Sequence, residues 1–206
     1  MDKKHPVLIL LRHGQSQWNL ENRFTGWKDV DLSETGKKEA LHAAKLLKKE
    51  QIDIGFTSML KRAQHTLEII LKQCGLKNIP VIKDKNLNER CYGAIEGLNK
   101  AEVALKYSQN QLRIWRRSYA VAPPGGESLK DTADRVIPYY QDNIAPKLKA
   151  GNTVLIVAHG NSLRALLMFL ENLSPKEIED IELHTGIPRK YTMNKNLEIL
   201  NVKFLL

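Results

Sequence analysis

The chain has 206 residues, a hydrophobic fraction of 42% and a charged fraction of 27%, which suits one folded domain over residues 1–206 and excludes a disordered or fibrous chain. A net charge of +9 points to an anionic partner but does not choose between nucleic acid, an acidic membrane surface and a small phosphorylated acid. Cys74 and Cys91 are the two cysteines; they form no C-x-x-C pair, and with no leader-like or membrane-length apolar run a reducing cytoplasmic setting is expected.

Val7 to Leu11 is an unbroken apolar run between Pro6 and Gly14, as expected of a strand buried on both faces of a parallel sheet. Ser33 is a good N-cap for a helix marked by Ala40, Ala43, Ala44 and Leu47. A second strand is expected over Ile52 to Thr57, a helix over Ser58 to Gln73 with Gly75 as its stop, and a short third strand at Pro80 to Ile82. Asn86 to Ser118 mixes loop and helix. Pro123 to Gly126 is a break, followed by a helix from Ser128 to about Ile144 with a kink expected at Pro138. Thr153 to Ala158 is a second all-apolar strand, and Ser162 to Leu170 a helix. Ser174-Pro175-Lys176-Glu177 has the form of a capping box, and Arg189 to Phe204 that of a hairpin turning at Asn194-Lys195-Asn196. Alternating strands and helices imply an α/β fold: three layers, with a mostly parallel central sheet and helices on both faces. Lys45, Lys48 and Lys49 read as a solvated helix face. Arg189-Lys190 is more basic than the hairpin requires and has no explanation in the sequence.

Both all-apolar strands end alike, in Arg12-His13-Gly14 and Ala158-His159-Gly160. Ligands of open α/β sheets bind beyond the carboxyl ends of the strands, so the two histidines are expected in one crevice. A lone histidine there is usually structural; two imidazoles beside a guanidinium make poor company unless an anion joins them. Arg62, in the first turn of the helix after the second strand, opposes the helix dipole; an arginine there can grip a phosphate bidentately, and the competing reading, equally open from position alone, is a solvated surface arginine. Arg12, His13, Arg62 and His159 thus supply one nucleophile and three donors for phosphoryl transfer. The cations are built in, and no carboxylate cluster argues for a metal. Glu89 is the best candidate for proton transfer; the competing reading is a surface ion pair with Arg90.

The octet Arg12-His13-Gly14-Gln15-Ser16-Gln17-Trp18-Asn19 resembles the signature of the histidine phosphatase superfamily, in its phosphoglycerate mutase branch. Phe24-Thr25-Gly26-Trp27, Leu87-Asn88-Glu89-Arg90, Tyr92-Gly93, Gly97-Leu98-Asn99-Lys100, Trp115-Arg116-Arg117, Pro124 to Leu129 and Ala158 to Arg164 follow in the family's order. The resemblance spans Val7 to Tyr191. It implies that His13 is phosphorylated, that Arg12, Arg62 and His159 bind the transferred group, and that Glu89 shuttles the proton. It places Ser16, Asn19, Thr25, Gly26, Gly160 and Asn161 around the phosphate and substrate, and Tyr92, Lys100, Arg116 and Arg117 at the substrate's far end. The implied reaction is the interconversion of 3-phosphoglycerate and 2-phosphoglycerate, in glycolysis and gluconeogenesis, through a reorienting bisphosphorylated intermediate. The implied cofactor is 2,3-bisphosphoglycerate as primer, without a metal.

The implied partner is a small phosphorylated acid, with neither nucleic acid nor membrane; a homo-oligomer is left open. The rival on the same fold is a broad histidine-type phosphomonoesterase, against which Lys100, Arg116 and Arg117 speak. A nucleic-acid binder, suggested by charge alone, lacks a binding module, and an inactive interaction protein would not need His13, Arg62, Glu89 and His159 together. Gln15 stands where many relatives carry glutamate, and the link from Arg117 to Pro124 is shorter than in longer members.

Overall fold

The computed structural model describes residues 5–206. Strand β1 (Val7–Arg12) leads through the short helix α1 (Gln17–Leu20) to α2 (Glu34–Leu47). There follow β2 (Ile54–Thr57), α3 (Lys61–Gln73) and β3 (Val81–Lys83). The middle of the chain holds α4 (Lys100–Tyr107) and α5 (Gln109–Arg117), then α6 (Leu129–Tyr139) and α7 (Ala145–Lys149). The remainder runs β4 (Thr153–Ala158), α8 (Gly160–Leu170), α9 (Glu177–Asp180), β5 (Arg189–Met193) and β6 (Ile199–Phe204).

The six strands lie in the order β3-β2-β4-β1-β5-β6. The first four are mutually parallel; β5 and β6 complete the sheet antiparallel. Alternate residues of a strand face opposite sides, and β1 shows why its run has no polar break. Leu8 and Leu10 pack with α6 and α8 residues such as Val136 and Leu166. Ile9 and Leu11 pack on the other side with Ala43 and Leu47 of α2 and Leu67 and Ile70 of α3. Each such fully buried aliphatic side chain contributes about 1.5–3 kcal/mol. The expected three-layer, mostly parallel architecture is the one observed.

A third, smaller core joins Phe24, Ile95, Val103, Leu112 and Trp115. It binds α4 and α5 into a cap over the carboxyl end of the sheet, which gives the mixed middle segment its structure. The helix expected to close near Ile144 with a kink at Pro138 instead widens into a π turn at Tyr140–Ile144 and continues as α7. Proline lacks the N–H that would bond the carbonyl four residues back, and a π turn just beyond it absorbs the misfit without ending the helix. The last main helix begins at Gly160, not Ser162, because extended His159 is already its N-cap.

Arg189 and Lys190 acquire an explanation here. Adjacent on β5, they point to opposite faces. Arg189 makes a two-pronged pair with Glu171 at 2.7 and 2.8 Å, and Lys190 meets both oxygens of Glu50 at 2.8 and 2.6 Å. Each ties one helical layer to the antiparallel edge of the sheet. Lys45, Lys48 and Lys49 are exposed, as expected of a solvated face.

Candidate active site

The register of β1 on β4 pairs Arg12 with Ala158. The next residue of each strand is a histidine, so His13 and His159 emerge side by side, ring centroids 4.9 Å apart. Both are buried. Gly14 lets the chain turn against α2: a Cβ there would lie 2.2 Å from the carbonyl oxygen of Gly36.

His13 Nδ1 lies 2.6 Å from the carbonyl oxygen of Gly14. A carbonyl only accepts, so Nδ1 carries the proton and Nε2 keeps its lone pair. Burial, followed by the charges of Arg62 and Arg12, holds the imidazole well below its ordinary range, so it is neutral near pH 7. Burial likewise lowers His159, with Arg62 next in effect. His159 Nε2 meets Ser58 Oγ at 2.7 Å, and its buried Nδ1 has no protein partner.

The guanidinium of Arg62 is fixed by carbonyls: Nη1 donates to Lys28 at 2.9 Å and Nη2 to Gly26 at 2.8 Å. Burial lowers its pKa to about 10, opposed chiefly by Glu89, so it stays charged. Gly26 takes a positive φ of 53°, and a Cβ on it would collide with Glu96 Oε1 at 1.9 Å. Glu96 earns that proximity by accepting from the backbone N–H of Trp27 and of Tyr92. Arg12 Nη1 donates to Leu183 O at 2.8 Å, while its buried Nε has no partner.

Glu89 is not paired with the Arg90 guanidinium, which donates to Tyr92 Oη and Arg116 O. Glu89 Oε1 instead accepts from the backbone N–H of Arg90 at 2.8 Å and of Asn161, at the start of α8, at 3.0 Å. Its other oxygen would lie 3.7 Å from a Cβ on Gly160, on the side where Glu89 lines the cleft. Tyr92 Oη accepts from both Arg90 and Asn161 Nδ2, each at 3.2 Å. Both lone pairs are used, which leaves the hydroxyl proton to donate.

One cleft brings most of these groups together. Arg12, His13, Asn19, Thr25, Gly26 and Arg62 form its inner end with Glu89, Gly160 and Asn161; Tyr92, Lys100, Arg116 and Arg117 form its outer end. His159 stands behind His13. Ser16 is buried and does not line the cleft: its Oγ accepts from Asn19 N as the N-cap of α1. Gln15 also faces away, its Oε1 accepting from Ser33 Oγ at 2.8 Å.

Sequence reasoning missed Arg23, Phe24, Arg164 and the stretch Ile181 to Leu183, which also line the cleft. Arg164 stands one helical turn after Asn161 and orients its amide, donating to Oδ1 at 3.0 Å; that spacing was a usable signal. Ile181 to Leu183 arrive only through the tertiary fold. In all, seven cationic side chains face two carboxylates, Glu89 and Glu182, around the cleft. Burial and the charges of Arg116 and Arg12 lower Lys100 to about 8. Such an array is chemically suited to an anion with charge at both ends.

The family profile described as histidine phosphatase superfamily (branch 1) matches residues 8–196. A 2,3-bisphosphoglycerate-dependent phosphoglycerate mutase of Cytophaga hutchinsonii is 56% identical over 200 residues, covering 97% of this chain and 93% of the relative. The protein of that name from Bartonella quintana is 55% identical over 195 residues, covering 94% and 95%. Among solved structures, mycobacterial glucosyl-3-phosphoglycerate phosphatase with VO3 superimposes with a TM-score of 0.84 at 28% identity, covering 98% of each chain. YhfR of Bacillus stearothermophilus follows with a TM-score of 0.83 at 27% identity, covering 94% and 93%. The chain belongs to the histidine phosphatase superfamily, branch 1, and within it to the family of 2,3-bisphosphoglycerate-dependent phosphoglycerate mutases.

Proposed function

We propose that this chain interconverts 3-phosphoglycerate and 2-phosphoglycerate by way of a phosphohistidine at His13. The observation that carries the chemistry is the locked tautomer: Nδ1 is committed to Gly14 O, and a neutral Nε2 stands at the inner end of a cationic cleft. Nε2 attacks phosphorus and later gives the phosphoryl group up. Arg12 and Arg62 hold the equatorial oxygens, with His159 Nδ1 as the third donor once Ser58 Oγ donates to Nε2. Fixed donors of this kind stabilise the spread of charge in the transition state.

Glu89 takes the proton of the attacking hydroxyl and returns it to the departing one. Two backbone N–H groups hold its Oε1, so Oε2 does the transfer. Lys100, Arg116, Arg117 and the Tyr92 hydroxyl hold the substrate's carboxylate end. Arg23 and Arg164 extend that set, and Asn19, Thr25, Gly26, Gly160 and Asn161 line the space between. Ser16 acts one step back, through Asn19.

The residues fit a bisphosphorylated primer. Arg12 Nε, Thr25 Oγ1 and Arg164 Nε are buried with no protein partner, and cations stand at both ends of the cleft. When bound, 2,3-bisphosphoglycerate supplies the phosphoryl group that loads His13. The built-in cations leave no task that requires a metal.

The second reading, a phosphomonoesterase, is favoured by the name of solved structures at 28% identity, a mycobacterial glucosyl-3-phosphoglycerate phosphatase. The mutase reading draws on relatives at 51–56% and on the cationic outer end. A coupled assay of 3-phosphoglycerate turnover, with and without 2,3-bisphosphoglycerate and a chelator, separates them. Bisphosphate-stimulated, chelator-insensitive isomerisation is expected. Phosphate release alone would leave the His13 chemistry standing and make the enzyme a phosphatase. No helix of the described residues is long and apolar enough to cross a membrane; we propose a cytoplasmic setting, and a single domain over residues 1–206.

A further inference from the structure

We infer that Arg135, held by Glu127, is a positioning residue for the proton transfer at Glu89. This rests on the reading of Glu89 given above. Arg135 lies on α6 and is not among the residues lining the cleft. Yet every N–H of its guanidinium goes to the loop that carries Glu89 or to the carboxylate that backs it. Nε and Nη2 make a two-pronged pair with Glu127, both at 2.8 Å. Nη1 donates to the carbonyls of Asn86 at 2.8 Å and Asn88 at 3.1 Å, and Nη2 to that of Glu89 at 3.0 Å.

Glu127 closes the clamp from the other side. Its Oε2 accepts from Cys91 N at 2.9 Å, and its own N–H donates to Cys91 O at 2.8 Å. Trp27 Nε1 adds a second donor to Glu89 O at 2.6 Å. The backbone on both sides of Glu89 is therefore immobilised before its carboxylate is aimed. The pair is mostly buried, with side chains 16% and 21% exposed, unlike the surface ion pairs that contribute little. A planar fork with five donors is required; a lysine point charge cannot span three carbonyls and a carboxylate.

The test separates steps that need the Glu89 proton from one that does not. Mutase turnover moves a proton on and off a substrate hydroxyl. In the phosphorylation of His13 by p-nitrophenyl phosphate, Nε2 bonds to phosphorus and the phenolate leaves as the anion. The full-length enzyme is compared with Arg135→Met, Arg135→Lys, Glu89→Gln and the Arg135→Met/Glu89→Gln double variant.

Arg135→Met should lower kcat for 3-phosphoglycerate by about 10²-fold, the order of loss from misplacing a reacting group by an ångström. KM should stay within about twofold and the nitrophenolate burst should be unchanged, the latter also reporting intact folding. Arg135→Lys should recover only a small part of kcat, and it carries the same comparison if the methionine variant does not fold. Added to Glu89→Gln, Arg135→Met should cost nothing more, because both act on one step. Equal losses in burst and turnover, a fully additive double variant, or wild-type turnover in Arg135→Met would each overturn the inference. A Glu89→Gln enzyme with unimpaired turnover would instead bring down the reading of Glu89, and this inference with it.

Discussion

Replacing Lys100 with methionine keeps the length of the side chain and removes one charge from the outer end of the cleft. Lys100 opens α4, where the helix dipole already disfavours a cation. Its nearest ring is Phe24, 5.9 Å away, and it makes no ion pair among the described residues. The ammonium is thus free for an anion. One charge-assisted hydrogen bond contributes about 1.5–3 kcal/mol, which at ~1.4 kcal/mol per decade is about a 10- to 150-fold loss in kcat/KM.

The pH dependence sharpens this. With its pKa lowered to about 8, free Lys100 is charged below that value and neutral above it. At pH 7 about nine-tenths is charged, so the full difference between wild type and Lys100→Met should be seen there. Substrate phosphate has its second pKa near ~6 and does not change between pH 7 and 9.5. Wild-type kcat/KM should therefore fall as pH rises through about 8 and converge on that of the variant, whose own profile lacks this limb. The coupled assay at low ionic strength, run at half-unit steps, measures both. A ratio that stays flat across the range would refute the assignment of this titration to Lys100, and a ratio near one at pH 7 would refute the contact itself.

His13→Ala should abolish the phosphoenzyme, seen as loss of the phosphorylated species by intact-protein mass spectrometry after incubation with 2,3-bisphosphoglycerate; turnover that survived would remove His13 as nucleophile. Since burial and the neighbouring arginines hold His13 well below its ordinary range, protonation of this residue should not limit kcat/KM anywhere near pH 6.5, and an acid limb there that vanished on changing His13 would contradict its environment. Gly26→Ala places a Cβ at φ 53° and 1.9 Å from Glu96 Oε1; a loss of about 1–3 kcal/mol in denaturant unfolding is expected, with a raised KM because Gly26 O anchors Arg62. Glu171→Gln removes the carboxylate held by Arg189 and Tyr191, whose side chains meet it on the far side of the sheet from α2; about 2 kcal/mol of stability should go while kcat stays unchanged.

Much of this was legible in the sequence because the strands that matter are buried on both faces. Only an unbroken apolar run satisfies two helical layers at once, so β1 and β4 stood out, and each delivered a histidine at its end. Ser33 announced its helix because a capping hydroxyl is a local requirement. What stayed hidden was pairwise and distant. That β1 and β4 are neighbours, with Arg12 opposite Ala158, follows from the whole topology. Arg189 and Lys190 made no sense until Glu171 and Glu50 were brought to them, and Ser16, read as a pocket residue from its place in the octet, turned out to be the cap that presents Asn19. Arg135 was invisible for the same reason: its meaning lies in three carbonyls some forty-odd positions away, and a lone arginine on a helix has none.

The cap formed by α4 and α5 stands on its own small core, apart from the two that hold the sheet. Arg12, His13 and His159 come from strand ends, and Lys100, Arg116 and Arg117 from the cap. The enzyme is thus written in two hands. On the assignment proposed above, one encodes how a phosphoryl group is moved, and it is bound to the register of the sheet. The other, on the same assignment, encodes which molecule is held, and it rests on a core of its own. New specificities on this scaffold are best sought by redrawing residues 93–118, leaving the strand ends untouched.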